Sequence, residues 1–250
     1  MKTALSSVAL LLAALALPSQ AVTVALSPDK DNTIYEESGT LSNGAGDFLF
    51  TGNTNGILGP NISRRALLSF DVASSLPAGA MINSAVVRLT LSKSAPGSGN
   101  QSVALHRLTN DWGAAASDAF GQEGTGATAL AGDATWTSNV SGTSSWASAG
   151  GDFISGASGS QTVGSALGDY VWSSTATSVA DVQGWLDNPS QNFGWILIGN
   201  EGADGTAKRF NSGDNSTGQP MLLLDYTPIP EPGSALLGFL GLGLLARRRR

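Results

Sequence analysis

Apolar and polar residues alternate with a period of two along the middle of the chain, and this pattern constrains the fold more than any other feature. The alternation runs through residues 65–70, 85–92 and 222–226. Each segment is typical of a β-strand with one buried face. Clusters of Gly, Ser, Thr and Asn separate such segments, at residues 53–56, 95–100 and 211–218. These patterns predict an all-β fold: a single antiparallel, jelly-roll-like β-sandwich with long Gly- and Ser-rich loops.

One segment has a helical period instead. Val179, Val182 and Leu186 fall on one face of a helix of one or two turns. Ser178 with Asp181 three residues later is a capping signature, and Asn188-Pro189 ends the pattern. We therefore expect one short helix that closes one end of the sandwich.

Residues 114–166 are poor in apolar residues and rich in Gly, Ser and Ala. This composition predicts a long irregular excursion rather than a second domain. Its expected anchors are Trp136, Trp146 and Phe153.

The N-terminus has the three parts of a secretory signal peptide. Lys2 provides a positive start, residues 8–17 an apolar core, and Ser19-Gln20-Ala21 a small-residue cleavage site. We expect cleavage after Ala21, so residues 1–21 are the signal peptide and residues 22–227 the exported domain. The chain contains no cysteine, which excludes disulfides, a thiol nucleophile and cysteine-ligated zinc.

The C-terminal residues 228–250 form a second targeting segment. Pro230-Glu231-Pro232 precedes an apolar stretch, residues 233–246, and a block of four arginines, Arg247, Arg248, Arg249 and Arg250. Spanning the hydrocarbon core of a bilayer takes roughly 17–25 apolar residues, so this stretch predicts a marginal hydrophobic helix. Arginine clusters stay on the cytoplasmic side, which places the rest of the protein outside.

The order of these three parts closely resembles the PEP-CTERM sorting signal of Gram-negative bacteria. The resemblance implies that an exosortase-type enzyme recognises Pro230, Glu231 and Pro232, while the arginine block holds the segment in the inner membrane. It implies transient anchoring in the inner membrane, followed by location at the cell surface or in the extracellular matrix. The alternative is an ordinary C-terminal anchor after a proline-rich linker.

The domain itself resembles the DNRLRE family of exported β-sandwich modules, which includes polysaccharide-binding modules. The resemblance runs from Asp31 to Tyr226. It is carried by the segments 31–35, 65–71, 77–85, 111–112, 134–136, 182–194 and 220–226. The chain departs from the family pattern at Gly113-Ala114-Ala115 and at Ser212-Gly213-Asp214, where the pattern has charged or longer side chains.

The charge of the exported domain argues against a nucleic-acid partner. Without Lys2 and the four terminal arginines, 8 basic residues face 19 acidic ones, or 18 without Glu231, a net charge of −11 or −10. Nucleic-acid binding requires clustered Lys and Arg that neutralise phosphates.

No residue pattern specifies a catalytic centre. The single histidine, His106, lies in the strand-like run 103–108, without a nucleophile or acid at a recognisable spacing. Acidic residues cluster at Asp29, Asp31, Glu36 and Glu37, which is more typical of a solvated face or a cation site than of a glycosidase pair. We expect no enzymatic activity.

A structural Ca²⁺ is the one cofactor that the sequence suggests. Asp29, Asp31 and Asn32 offer oxygen ligands, and a second set comprises Asp204, Asp214 and Asn215. The alternative is that these are ordinary turn residues.

Carbohydrate recognition uses flat aromatic rings and cationic side chains. Candidate ligand contacts are Tyr35, Arg64, Arg65, Arg107, Trp112, Trp172, Lys208 and Arg209. Core or edge packing is the alternative role for each of them, and we expect Trp185 and Trp195 to be core.

Three functional hypotheses remain, in order of preference. The first is an exported non-enzymatic surface or matrix protein that associates with extracellular polysaccharide. The second is a dedicated carbohydrate-binding module for one polysaccharide, for which a polymer rich in uronic acid is one candidate. The third is a secreted polysaccharide lyase or hydrolase.

Overall fold

The computed structural model describes residues 20–54 and 63–229, and β-strands dominate it. The strands are β1 (Val22–Leu26), β2 (Lys30–Tyr35), β3 (Leu41–Ser42), β4 (Phe48–Asn53), β5 (Ser63–Ser69), β6 (Met81–Ser94), β7 (Gln101–Arg107), β8 (Ala127–Thr128), β9 (Gly159–Val163), β10 (Gly168–Trp172), β11 (Trp195–Ile198), β12 (Lys208–Asn211) and β13 (Met221–Thr227). The helices are α1 (Val72–Ser75) and α2 (Ala176–Asp187), and a 3-10 turn spans Pro189–Gln191.

All strand pairs are antiparallel, and the sheet folds back on itself. Sheet A contains β1, β13, β6, β10 and β12, and sheet B contains β2, β3, β5, β7, β8, β9 and β11. Strand β4 joins them, because residues 48–51 pair with β12 while Gly52 and Asn53 pair with β5. The predicted all-β antiparallel sandwich, with one helix longer than a single turn, is confirmed.

The main core lies between the two sheets. In β6 the buried residues Ala85, Val87, Leu89 and Leu91 alternate with half-exposed ones, as the period of two predicts. They pack with Leu222 and Leu224 of β13 and with Leu68, Leu105 and Leu197 of sheet B. Trp185 and Trp195 are fully buried in this core, with ring centres 4.5 Å apart.

Strand β5 differs from the prediction of a half-buried strand, because both of its faces are buried. Leu68 points into the main core, whereas Leu67 belongs to a second apolar cluster on the outer side of sheet B. We call this cluster the tryptophan layer. Its members are Ile34, Leu67, Leu108, Trp112, Ala134, Trp136, Trp146 and Ile196.

The excursion over residues 114–166 supplies much of the tryptophan layer. It is irregular as predicted, apart from β8 and β9. Trp136 and Trp146 are buried anchors, and Phe153 packs against them while partly exposed. The Trp146 indole donates to the carbonyl of Thr135 at 2.8 Å, so its N–H is satisfied inside the layer.

Helix α2 lies where the periodicity predicts it, but begins earlier and with a different cap. Thr175 is the N-cap, and its side chain accepts from the backbone N–H of Ser178 at 2.9 Å, while the Ser178 hydroxyl accepts from the Thr175 N–H. Ser178 is therefore the third residue of the helix, and the helix ends at Asp187 before Asn188-Pro189.

The first and last strands are neighbours in sheet A. Val22 of β1 is paired with Tyr226 of β13, so the described chain starts and finishes at the same end of the sandwich. Ala21, after which we expect cleavage, is exposed. Residues 1–19 of the expected signal peptide, and residues 230–250 with the expected sorting signal, lie outside the described residues. Within residues 20–54 and 63–229, no helix is long and apolar enough to cross a membrane.

Asp181 links helix α2 to sheet B. Instead of capping the helix, its buried carboxylate accepts from the Trp195 indole at 2.9 Å and from the Ser158 hydroxyl at 2.5 Å. Arg107 lies 3.7 Å away. One carboxylate thus satisfies two buried donors from different parts of the chain.

Replacing Asp181 with Ala should therefore destabilise the domain. The buried Trp195 and Ser158 donors would lose their acceptor, which we expect to lower the free energy of unfolding by about 2–4 kcal/mol. Asp187→Ala, at the exposed end of the same helix, is the matched control and should cost under about 1 kcal/mol. Urea denaturation of both variants checks this, and equal losses would contradict the role of Asp181.

Candidate functional site

The three aromatic residues that were candidates for sugar contact are buried. Tyr35, Trp112 and Trp172 are each at most 2 % exposed. Their polar atoms bond to backbone carbonyls: the Tyr35 hydroxyl to Glu123, the Trp112 indole to Phe193 and the Trp172 indole to Val103. In this structure they leave no ring face exposed to a ligand. The structure shows the alternative role, in which these three side chains pack inside the protein.

Two of the predicted cationic contacts are also buried. Arg64 forms an ion pair with Glu37, donates to the carbonyl of Gly124, and lies over the Tyr35 ring. Lys208 is 1 % exposed, and its ammonium is surrounded by four oxygens at 2.8–2.9 Å. These oxygens come from Ser94, Ser98, Gly99 and Gly164. Burial lowers the pKa of Lys208. Both side chains tie loops to the sandwich and cannot reach a glycan outside it.

Arg65, Arg107 and Arg209 keep access to solvent, but the structure does not bring them to one site. The Arg107 side chain is 41 % exposed and lies near Asp181. Arg65 is in sheet B beneath the excursion, whereas Arg209 is in sheet A. The eight residues proposed from sequence therefore do not form a single binding surface.

Arg65 contributes to a shallow groove of about 450 Å³. Its guanidinium is fixed by two bonds to the Glu201 carboxylate, at 2.7 and 2.8 Å, and by one to the carbonyl of Gly150. It also lies over the rings of Trp136 and Phe153. We call this the Arg65 groove. Its other lining residues are Thr109, Asn110, Ala147, Ser148, Ala149, Gly151, Asp152 and Phe153.

The wall of the Arg65 groove is rigid because Asp152 organises it. The carboxylate of Asp152 accepts from the Asn110 amide at 2.7 Å and from the backbone N–H groups of Ala147 and Ser148 at 2.8 and 2.9 Å. Both ionic groups of the groove are thus engaged within the protein. The groove therefore offers the ring of Phe153 and neutral polar side chains, without an unpaired charge among the lining residues that the structure describes. Such a lining suits weak binding of a neutral polar ligand.

Sequence reasoning missed a second surface, at the far end of sheet A. Phe120 is fully exposed at the tip of a loop. Beside it, the side chains of Lys93 and Arg209, paired across β6 and β12, both donate to the amide oxygen of Gln122, at 3.3 and 3.0 Å. The Arg209 guanidinium lies 3.6 Å from the centre of the Phe48 ring. We call these five residues the distal platform. An aromatic residue inside a Gly-rich loop was the one sequence signal for it.

The loop that carries Phe120 is held by Glu123. The buried Glu123 carboxylate accepts from the side-chain amide of Asn43 at 2.8 Å and from the N–H groups of Asp47 and Phe48. Among the described residues, Glu123 is the one non-glycine residue with a positive φ, 60°. Such strain persists only where surrounding contacts enforce it, so the exposed phenyl ring stands on a rigid support.

Within the described ranges, neither Lys93 nor Arg209 forms a close ion pair, although the nearby Glu123 carboxylate interacts electrostatically with Arg209. Neither lies within 4 Å of a carboxylate oxygen in the part of the chain that the structure describes. The Arg209 side chain also bonds to Ser92, a neutral partner. Two cations next to an exposed ring can bind a ligand that has both a flat apolar face and an anionic group.

The residues proposed for calcium do not converge on one point. The Asn32 side-chain oxygen already accepts from the Ser42 hydroxyl and the Asn43 N–H, while Asp29 is exposed and Asp31 buried. Among the described residues, no group of three or more His, Cys, Asp or Glu side chains is arranged to hold a metal ion. In the second set, Asp204 is exposed and the Asn215 amide donates to the carbonyl of Asp47. Bound calcium remains a prediction.

His106 lies in strand β7, as its sequence context predicts. Its Nδ1 is 3.1 Å from the carbonyl oxygen of Ile154, and its ring packs 5.3 Å from that of Phe153. These contacts are those of a packed strand residue.

Comparison with known proteins adds no relative. No protein-family model matches the chain, and no curated protein is significantly similar to it. The resemblances to the PEP-CTERM and DNRLRE families therefore rest on the residues quoted above.

The pKa of Asp31 is strongly shifted, and the contacts of its carboxyl group explain the shift. Its Oδ2 accepts from the N–H of Gly213 at 2.6 Å, and a β-carbon at Gly213 would lie 2.8 Å from the same oxygen. Gly213 lies in Ser212-Gly213-Asp214, where the chain differs from the DNRLRE pattern. Because glycine has no β-carbon, it permits this contact. Burial raises the pKa of Asp31 to about 7, opposed by the Gly213 bond and reinforced by Asp214.

Stability should consequently fall as pH rises from about 4 to about 7. The pKa of Asp31 in the fold lies above its ordinary value of 3.8, so the fold favours the protonated form and loses that advantage as Asp31 ionises. Asp31→Asn keeps an acceptor for Gly213 without the charge. We expect it to raise the free energy of unfolding at pH 7.5 by about 1–3 kcal/mol and to flatten the pH dependence.

The control for this prediction is Asp29→Asn, at an exposed carboxylate two residues away. Denaturation between pH 4 and 8, in the presence of a chelator, separates the two variants. A loss of stability in Asp31→Asn at neutral pH would contradict the assignment, because it would mean that the charged form is the stabilising one.

Proposed function

We propose that this is an exported, non-enzymatic surface or extracellular-matrix protein, released by an exosortase-type sorting enzyme and associated with extracellular polysaccharide. The observation that carries the proposal is the pairing of Val22 with Tyr226. The two ends of the domain meet, and β13 ends at Thr227, three residues before Pro230. This geometry suits a compact module displayed on a short C-terminal tail.

Contact with matrix is supported by the distal platform. It lies far from the tail along β6, whose 14 residues extend about 40 Å at roughly 3.3 Å per residue. Met81, at the first end of β6, pairs with Thr227 next to the tail, while Lys93, near the last end, is part of the platform. A module oriented in this way presents Phe120 away from its point of attachment.

Intact mass spectrometry of protein from its native host tests the sorting proposal. We expect the extracellular fraction to contain a chain that starts near Val22 and ends near Pro230 to Pro232, with an added mass. Membrane-bound precursor should retain the four arginines. Extracellular protein that still carries Arg247 to Arg250 would overturn exosortase-type sorting.

The distal platform also supports the second candidate, a carbohydrate-binding module for an acidic polysaccharide. The exposed Phe120 ring can stack on a pyranose face, and Lys93 with Arg209 can bond to uronate carboxylates. In a domain with net charge near −10, these cations are the local exception that would allow a polyanion to approach. Such binding should weaken as salt screens the charges.

Substitution of Phe120 tests this second candidate. Phe120→Ser should weaken binding to a soluble polyuronate by about 3- to 10-fold, because a stacking contact is lost. Leu130→Ser removes a different exposed apolar side chain and should change nothing. Affinity electrophoresis at low and high salt measures both. Equal mobility of Phe120→Ser and the unmodified protein would count against the platform as a sugar-binding surface.

A further inference from the structure

The end of the sandwich where the chain enters and leaves carries exposed apolar side chains. Val22 is 42 % exposed, Met81 60 % and Ile229 62 %. Val22 pairs with Tyr226, and Met81 pairs with Thr227, so both lie beside the last strand. Ile229 folds over the turn before β6, where its Cδ1 would lie 3.1 Å from a β-carbon at Gly79. We call this surface the terminal pole.

The distance to the apolar tail is short. Pro230 is the third residue after Thr227, and Gly233, where the apolar stretch begins, is the sixth. A fully extended chain covers at most about 3.6 Å per residue, so Gly233 is no more than about 22 Å from the end of β13. The headgroup layer on one side of a bilayer is roughly 5–8 Å thick. A bilayer that holds residues 233–246 therefore lies within reach of the terminal pole.

We infer that the terminal pole is a lipid-facing surface, on which the domain rests against the outer leaflet of the membrane before the tail is cut. Val22, Met81 and Ile229 would enter the interfacial region, and the long axis of β6 would point away from the bilayer. This inference rests on the proposed anchoring of the C-terminal segment.

The charges near the pole favour an apolar rather than an electrostatic contact. Asp225, one residue before Tyr226, has a carboxylate that accepts from the Thr23 hydroxyl at 2.6 Å. An acidic group at this position gives no attraction to anionic lipid. The contact should therefore persist in vesicles of neutral lipid and at high salt. It should end when cleavage at Pro230 to Pro232 removes the apolar stretch, which would free the domain from the membrane.

Depth-dependent fluorescence quenching tests the orientation. The chain has no cysteine, so single cysteines can be labelled without background. Labels at Met81→Cys and Ala78→Cys report on the terminal pole, and labels at Phe120→Cys and Lys93→Cys on the distal platform. All four sites are exposed. The protein, with its tail intact, is placed in phosphatidylcholine vesicles that contain headgroup-quenching lipid.

Labels at positions 78 and 81 should be quenched at least about twofold more than labels at 93 and 120, because quenching is confined to the bilayer and its interface. Equal quenching at the two ends, or stronger quenching at position 120, would overturn the inference. Salt at 0.5 M, about three times the physiological ionic strength, should leave the ratio unchanged.

Flotation of the same vesicles separates failure of this inference from failure of the anchor. Protein with an intact tail should float with the vesicles, whereas the double substitution Leu237→Asp and Leu240→Asp should prevent flotation by placing charges in the apolar stretch. If the intact protein does not float, the proposed anchoring fails. If it floats without selective quenching at positions 78 and 81, only the orientation is wrong.

Discussion

The apolar outer face of sheet B is the constraint on which the rest of the structure depends. Ile34, Leu67 and Ile196 point away from the main core, so this sheet would expose an apolar surface if nothing covered it. The excursion covers it with Trp136 and Trp146, and the indole N–H of Trp146 donates to the carbonyl of Thr135. The chain has no disulfides, so the long loop is held in place by the packing of this layer together with hydrogen bonds, such as the one from Arg65 to the carbonyl of Gly150. The Arg65 groove exists because the same loop folds down onto the sheet.

Buried polar groups then fix the loops that apolar packing leaves undetermined. Lys208 binds carbonyls from two separate loops, at Gly99 and Gly164. Glu123 ties the Phe120 loop to the turn before β4. Each of these charges is buried beside neutral donors or acceptors, so removing one partner would leave polar atoms unsatisfied. Such groups therefore help to fix the position of the loops that they join.

Local periodicity predicted the elements whose environment depends on their own residues. Strand β6 and helix α2 agree with the sequence pattern because one face of each packs on the core. The outer face of β5 differs from its sequence pattern, because its burial depends on the excursion, which lies far away in the sequence. Tyr35, Trp112 and Lys208 show the same limit of sequence-based prediction. An aromatic ring or a cation can lie either in a core or on a binding surface, and the sequence pattern does not distinguish the two. The fold buries all three. Phe120 was missed because its exposure is set by Glu123, through contacts far apart in sequence.

The position of the termini gives the domain two different ends. Because the described chain starts and finishes at one end of the domain, attachment through the C-terminal segment leaves the opposite end unobstructed. Strand β6 spans this distance without interruption, so the terminal pole and the distal platform are parts of one rigid body. In the proposed function, the surface near Thr227 is covered by lipid before sorting and by the sorting enzyme during it. Under the same proposal, the residues around Phe120 and Arg209 stay available for matrix contact at every stage, so an exposed aromatic ring is more useful there than near the tail.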